Sequence, residues 1–241
     1  GDRFFSMRVQ FSVEKTDVRR LCSDFRPIAE RIDMTWRLDD EAEPSRVLIM
    51  VSKFDHCLID LLYRERTGEL NIEVPIVISN HQDLEDLVSG HGVPFQHISV
   101  DKNNKPKAEK LVLELVNKER IDFVVLARYM QIMTPEFCDS LAGRLVNIHH
   151  SFLPGFVGTR PYYQAYERGV KLIGTTAHFA TADLDEGPII EQDVQRVTHA
   201  QDVTQLTAVG RDIETRVLSR VVRYMSEHRV VLNGGRTVVF A

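Results

Sequence analysis

A chain of 241 residues with 43% apolar and 27% charged residues, 13 Gly and 9 Pro has the balance of a globular protein with a sizeable core rather than of a disordered one. A net charge of −5, with Lys and Arg scattered among more numerous Asp and Glu, leaves no basic footprint for nucleic acid. No run reaches the roughly 18 to 20 apolar residues of a membrane span, the N-terminus shows no charged-then-apolar leader, and Cys22, Cys57 and Cys138 are too far apart for a disulfide framework or a C-x-x-C metal site, so the cytoplasm is the expected location.

Residues 4 to 11 (FFSMRVQF) alternate and predict a strand. Residues 14 to 32 carry Val18, Leu21, Phe25, Ile28 and Ile32 at helical spacing, with Pro27 predicting a kink or break near Phe25 and Arg26. "MTWRLDD" (34 to 40) reads as a second strand. Two strands around one helix cover too little apolar surface to stand alone, and "DDEAEPS" (39 to 45) reads as a linker. Beyond it the rhythm changes. "RVLIMVS" (46 to 52), "EVPIVIS" (73 to 79), "PFQHISV" (94 to 100), "DFVVLAR" (122 to 128) and "RLVNIHH" (144 to 150) predict buried strands. They alternate with helices at 56 to 66, from His81, at 105 to 119 and at 135 to 142. This is the pattern of an α/β domain with a doubly wound, mostly parallel sheet. "LIGTTAHFAT" (172 to 181) and "PIIEQDVQRV" (188 to 197) predict a hairpin-like pair extending the sheet. Residues 203 to 229 predict a long helix with Leu206, Val209, Ile213, Val217, Val221 and Met225 on one face, and "RVVLNGGRTVVF" a closing hairpin turned by Gly-Gly.

In doubly wound sheets ligands sit beyond the carboxyl ends of the strands, and "NIHHSFLPGF" (147 to 156) ends one. Positions two apart share a face, so Asn147 projects with His149, and His150 points away. A carboxamide N–H can stabilise an oxyanion and an imidazole can do so too or move a proton. Asp185, in the acidic turn "ADLDEG" that follows the strand carrying His178, is the candidate that returns to the same strand ends. Against this, a histidine at a strand end is usually structural, and an Asp before Gly-Pro is ordinary turn chemistry. A zinc site drawn from His149, His150, His178 and Asp185 lacks metal-ligand spacing. Ser151 lacks the G-x-S-x-G setting of a hydrolase nucleophile. Spacing alone leaves the function open.

The pair "NIHHSFLPGF" and "AHFATADLDEGPIIEQ" resembles the active-site motifs of the formyltransferase-type folate enzymes, N-x-H-x-S-x-L-P followed by H-x(6)-D, and His178 and Asp185 keep that spacing. The match covers about residues 46 to 200. The resemblance implies a formyltransferase-like, Rossmann-type domain at 43 to 241. It also implies a partial N-terminal α+β module at 1 to 42, similar to the second half of an ACT domain, whose first strand and helix would precede residue 1. It makes Asn147, His149 and Asp185 the catalytic set, with His178 and Ser151 in support. It assigns the folate to Met130, Gln131 and Ile132 and to Ala180, Thr181, Ala182, Asp183 and Leu184. No metal and no cofactor is expected, since 10-formyltetrahydrofolate would be the substrate; neither nucleic acid nor membrane is an expected partner, and self-association is. The expected reaction is hydrolysis to formate and tetrahydrofolate. Where related formyltransferases carry a Gly-rich phosphate loop after the first strand, "VSKFDHCLIDLL" has Lys53, Phe54, Asp55 and His56 and no glycine, which favours water over a phosphorylated amine as acceptor. Transfer to an amine and a non-catalytic folate or amino-acid sensor are the alternatives.

Overall fold

The structure is a computed structural model that describes residues 5–13, 17–155 and 160–240. Its centre is a sheet of seven strands: β1 (Ser45–Val51), β2 (Ile72–Ser79), β3 (Phe95–His97), β4 (Phe123–Leu126), β5 (Leu145–His149), β6 (Leu172–Phe179) and β7 (Ile189–Arg196). They lie in the order β3-β2-β1-β4-β5-β6-β7. The first five run parallel, and β6 and β7 are antiparallel to their neighbours. The predicted mostly parallel, doubly wound α/β sheet is what the chain forms.

The apolar character of β1 follows from its place in the middle. Val47, Ile49 and Val51 point to one face, where they pack with Leu58, Leu61 and Leu62 of α2 (His56–Arg66) and with Ile213, Val217 and Val221 of α7 (Val203–Ser226). Leu48 and Met50 point to the other, against Ala108, Val112 and Val116 of α4 (Lys105–Lys118) and Phe137 of α5 (Pro135–Ser140). Both faces being covered, alternation with polar residues would bury groups without partners. The face predicted for α7 is the one that packs. Asp202 and Gln205 close its first turn as a capping box, each side chain taking the other's backbone N–H. The hairpin β8 (Val230–Asn233) and β9 (Arg236–Val239) turns at Gly234, whose φ of +58° suits glycine. Two further short helices are α3 (Glu85–Gly90) and α6 (Pro161–Glu167), the latter absent from the sequence reading.

The N-terminal stretch departs from expectation. Residues 5–11 and 34–40 form no strand, because an extended segment becomes a ladder only beside a partner; they are tied by side chains instead, Arg8 and Gln10 both reaching Glu41 at 2.7 Å. Residue 4 and residues 14–16, included in the predicted strand and helix, lie outside the described residues. α1 (Val18–Arg31) runs through Pro27 without breaking. The bond that proline forfeits would go to Ser23, on an exposed part of the helix where water can take its place.

Candidate active site

The antiparallel register of β5 and β6 sets Asn147 opposite His178 and His149 opposite Thr176. Asn147 Nδ2 lies 3.1 Å from His178 Nε2. His178 Nδ1 lies 2.9 Å from the carbonyl of Phe179. A carbonyl can only accept, so Nδ1 carries the proton. Burial pushes the His178 ring toward neutrality against the opposing pull of that carbonyl and of Asp185. Nε2 is then an acceptor, and the amide nitrogen of Asn147 must be the donor. One N–H of the carboxamide is used and the second is left for a ligand.

Asp185 returns to this edge as expected. Its Oδ1 accepts from His149 Nδ1 at 3.0 Å and lies 3.9 Å from His178 Nε2. His178 is thus nearer to Asn147 than to the carboxylate. Burial raises the carboxyl's affinity for a proton, but the hydrogen bond from His149, followed by the charge of His149, outweighs it and holds Asp185 below the ordinary aspartate range. His149 Nε2 is buried and has no hydrogen-bond partner.

Local backbone geometry brings the turn in. Asp185 has a φ of +60°, uncommon outside glycine. At Gly187 a Cβ would stand 1.7 Å from the Phe179 carbonyl oxygen and 3.2 Å from His178 Nδ1, so only glycine lets the chain pass. Ser151 is buried and acts on the opposite turn: its hydroxyl donates to the carbonyl of Gly155 at 2.8 Å, and its own carbonyl accepts from Thr176 Oγ1 at 2.9 Å. Thr176, which sequence reading did not single out, also receives the Leu153 N–H and the Gln192 amide, both at 2.9 Å.

Met130 and Ile132 are exposed, unusual for such side chains, as are 181 to 184. Ala180 packs partly against the core and Gln131 lines a minor cleft beneath α4. Thr181 Oγ1 donates to the Asp183 carbonyl at 3.0 Å. The loop carrying Met130 is pinned by Ser52, which takes the Met130 N–H at 3.0 Å and donates to Asn80 at 2.7 Å.

A second cluster sits beside this one and was missed. Glu214 is 1% exposed. It accepts from Tyr162 at 2.6 Å and from His56 Nε2 at 2.8 Å and faces Arg128 Nε at 3.4 Å. Burial disfavours its charge, and the His56 hydrogen bond and Arg128 more than offset this, so it stays below the usual range. Gly210, one turn before it, makes room: a Cβ there would lie 2.2 Å from the Tyr162 ring. His56, Cys57 and Glu214 place possible ligand atoms within 4.8 Å of one another. His56 and Glu214 are already bonded together, and burial pushes the Cys57 thiol well up, so the donors suit an ion-pair cluster better than a metal. The sequence signal for Glu214 was present, a carboxylate beside Ile213 and one turn before Leu218 in a buried helix.

An amide and an imidazole at a strand tip, with a carboxylate delivered by a turn from the next strand pair, define a class of α/β proteins. Residues 45–222 match the formyl transferase family. A formyltetrahydrofolate deformylase of Corynebacterium sp. (strain P-1) is 48% identical over 97% of this chain and 82% of its own length. The crystal structure of a formyltetrahydrofolate deformylase from Burkholderia mallei superposes with a TM-score of 0.90 at 52% identity, covering 93% of this chain and 80% of that one. A glycinamide ribonucleotide transformylase 1 from Symbiobacterium toebii is more distant, with a TM-score of 0.78, 30% identity and coverage of 86% and 99%. The chain belongs to the formyl transferase family, within its formyltetrahydrofolate deformylase group. No helix among the described residues is long and apolar enough to cross a membrane.

Proposed function

We propose that the chain hydrolyses 10-formyltetrahydrofolate to formate and tetrahydrofolate, using Asn147, His149 and Asp185. The observation that carries this reading is their convergence: a free amide N–H, an unpartnered imidazole nitrogen and an ionised carboxylate at one strand edge. Asp185 orients a water and draws off one of its protons as the oxygen attacks the N10-formyl carbon. The second N–H of Asn147 and, with His149 in its imidazolium form, its Nε2–H hold the oxygen that becomes anionic. The C–N10 bond breaks, N10 takes a proton to give tetrahydrofolate, and the acid formed loses its own proton to leave as formate. Electrostatic stabilisation of this kind is worth about 10²- to 10³-fold in rate per donor. Met130, Gln131, Ile132 and the loop 180–184 hold the pterin, with His178 and Ser151 positioning the edge.

Transfer to a phosphorylated amine is less well supported. The turn after β1 offers no glycine, and Asp55 stands at the N-terminus of α2, where a phosphate would need positive potential. In the same reading residues 1–42 are a partial ACT-like module ahead of a catalytic unit at 43–241. The start of the family match at 45 and of the sheet at Ser45 supports that boundary. Exposed Phe5, Met7, Val9 and Phe11 support self-association, and the free Cys22, Cys57 and Cys138 a cytoplasmic setting. The test is incubation with 10-formyltetrahydrofolate and no acceptor. Stoichiometric formate and tetrahydrofolate are expected; tetrahydrofolate formed only when an amine is added, with the formyl group on the amine and no formate, would assign a transferase, and an intact donor would assign a sensor.

A further inference from the structure

Next to the catalytic edge lies a cavity of about 490 Å3, lined by Arg128, His150, Tyr162 and Glu214 among others. Chain order places it there. Leu126, the last residue of β4, pairs with Asn147 of β5, and Arg128 follows in the turn just beyond that strand end. His150 bridges the two groups, feeling the charges of both Asp185 and Glu214.

Arg128 is in an unusual state. Its φ is +63°, its side chain is only 10% exposed, and its Nε and Nη1 are buried without a hydrogen-bond partner. Glu214, the nearby carboxylate, is taken by Tyr162 and His56 and meets Arg128 only as an ion pair at 3.4 Å. The cavity wall also carries Arg160 and Arg211, both exposed, so its lining holds three arginines and one carboxylate. Buried guanidinium N–H groups left unpaired are costly, and their planar fork matches a carboxylate. We propose that Arg128 forms an anion subsite that receives formate as it leaves the catalytic set, before release through the cavity. This rests on the hydrolytic reading above, which creates formate at the adjoining edge.

The test is a titration of the folate-free enzyme with 13C-labelled formate, followed by NMR line broadening, alongside inhibition of turnover by added formate at constant ionic strength. Saturable binding and inhibition are expected, with Arg128→Met weakening both by about tenfold or more. Glu214→Gln, which keeps the bonds to Tyr162 and His56 but removes the competing charge, is expected to tighten formate severalfold. Unchanged formate affinity in Arg128→Met, or in Glu214→Gln if the former does not fold, would overturn the proposal. So would inorganic phosphate displacing the label at tenfold lower concentration than unlabelled formate, which would assign the cavity to a phosphoanion. An enzyme that releases no formate from the folate yet binds labelled formate at Arg128 would fail the hydrolytic reading while leaving the subsite in place.

Discussion

Asn147 and His178 are cross-strand partners on β5 and β6, and the imidazole, locked as the Nδ1–H tautomer by the Phe179 carbonyl, receives one N–H of the carboxamide. The orientation of Asn147 is therefore set by a residue that need not touch substrate. His178→Ala is expected to lower kcat by about 10- to 10²-fold with little change in KM, and Asn147→Ala by about 10²- to 10³-fold. Because His178 acts through Asn147, the double variant should match Asn147→Ala alone, whereas independent roles would multiply the losses. His178→Gln, whose side-chain oxygen can accept the same N–H, should recover part of kcat.

Gly187→Ala should be among the most damaging single-methyl changes in the chain. The added Cβ meets the Phe179 carbonyl, a backbone atom that cannot step aside without moving the 183–187 turn and Asp185 with it. A lowered melting temperature and at least about 10²-fold lower kcat are expected together. Unchanged melting and kcat would show that the turn tolerates relocation.

Acid should weaken the fold well before the carboxylates titrate. Burial first, then the charges of Arg128 and His149, pull His150 down to about 4. The unfolded chain has an ordinary imidazole near 6.5. As pH falls through 6.5 the unfolded state takes up the proton first, so stability drops until about pH 4, where the folded ring protonates too. A shift of this size corresponds to about 3 kcal/mol at most. Denaturant midpoints measured from pH 7 to 4.5 should fall, and His150→Gln should fall less steeply; parallel slopes would assign the acid sensitivity to other groups.

The meeting of Asn147, His149 and Asp185 was legible in the sequence, since a period of two sets Asn147 beside His149 and a tight turn after the strand of His178 can return Asp185 to that edge; their proposed catalytic roles came from the resemblance to the folate-enzyme motifs. The sheet was legible for a related reason, since strands buried on both faces cannot disguise their apolar runs. The Arg128–Glu214–Tyr162 cluster was not. Its members come from the end of β4, the middle of α7 and the start of α6, and neither residue spacing nor hydropathy records that Gly210 opens α7 for a tyrosine ring. The N-terminal strands failed for the opposite reason: alternation in residues 5–11 is clear, but a strand is a property of two segments and no described partner lies beside it.

In the proposed mechanism Asp185 activates the water while taking little part in holding folate, and a comparison of Asp185→Asn with the parent protein, for formate release and for folate binding in parallel, separates the two. The amide keeps the size of the side chain and can still meet His149, so folate affinity should stay within about threefold while formate release falls by about 10³-fold or more. Near-parental formate release from the variant would remove Asp185 from the role of base.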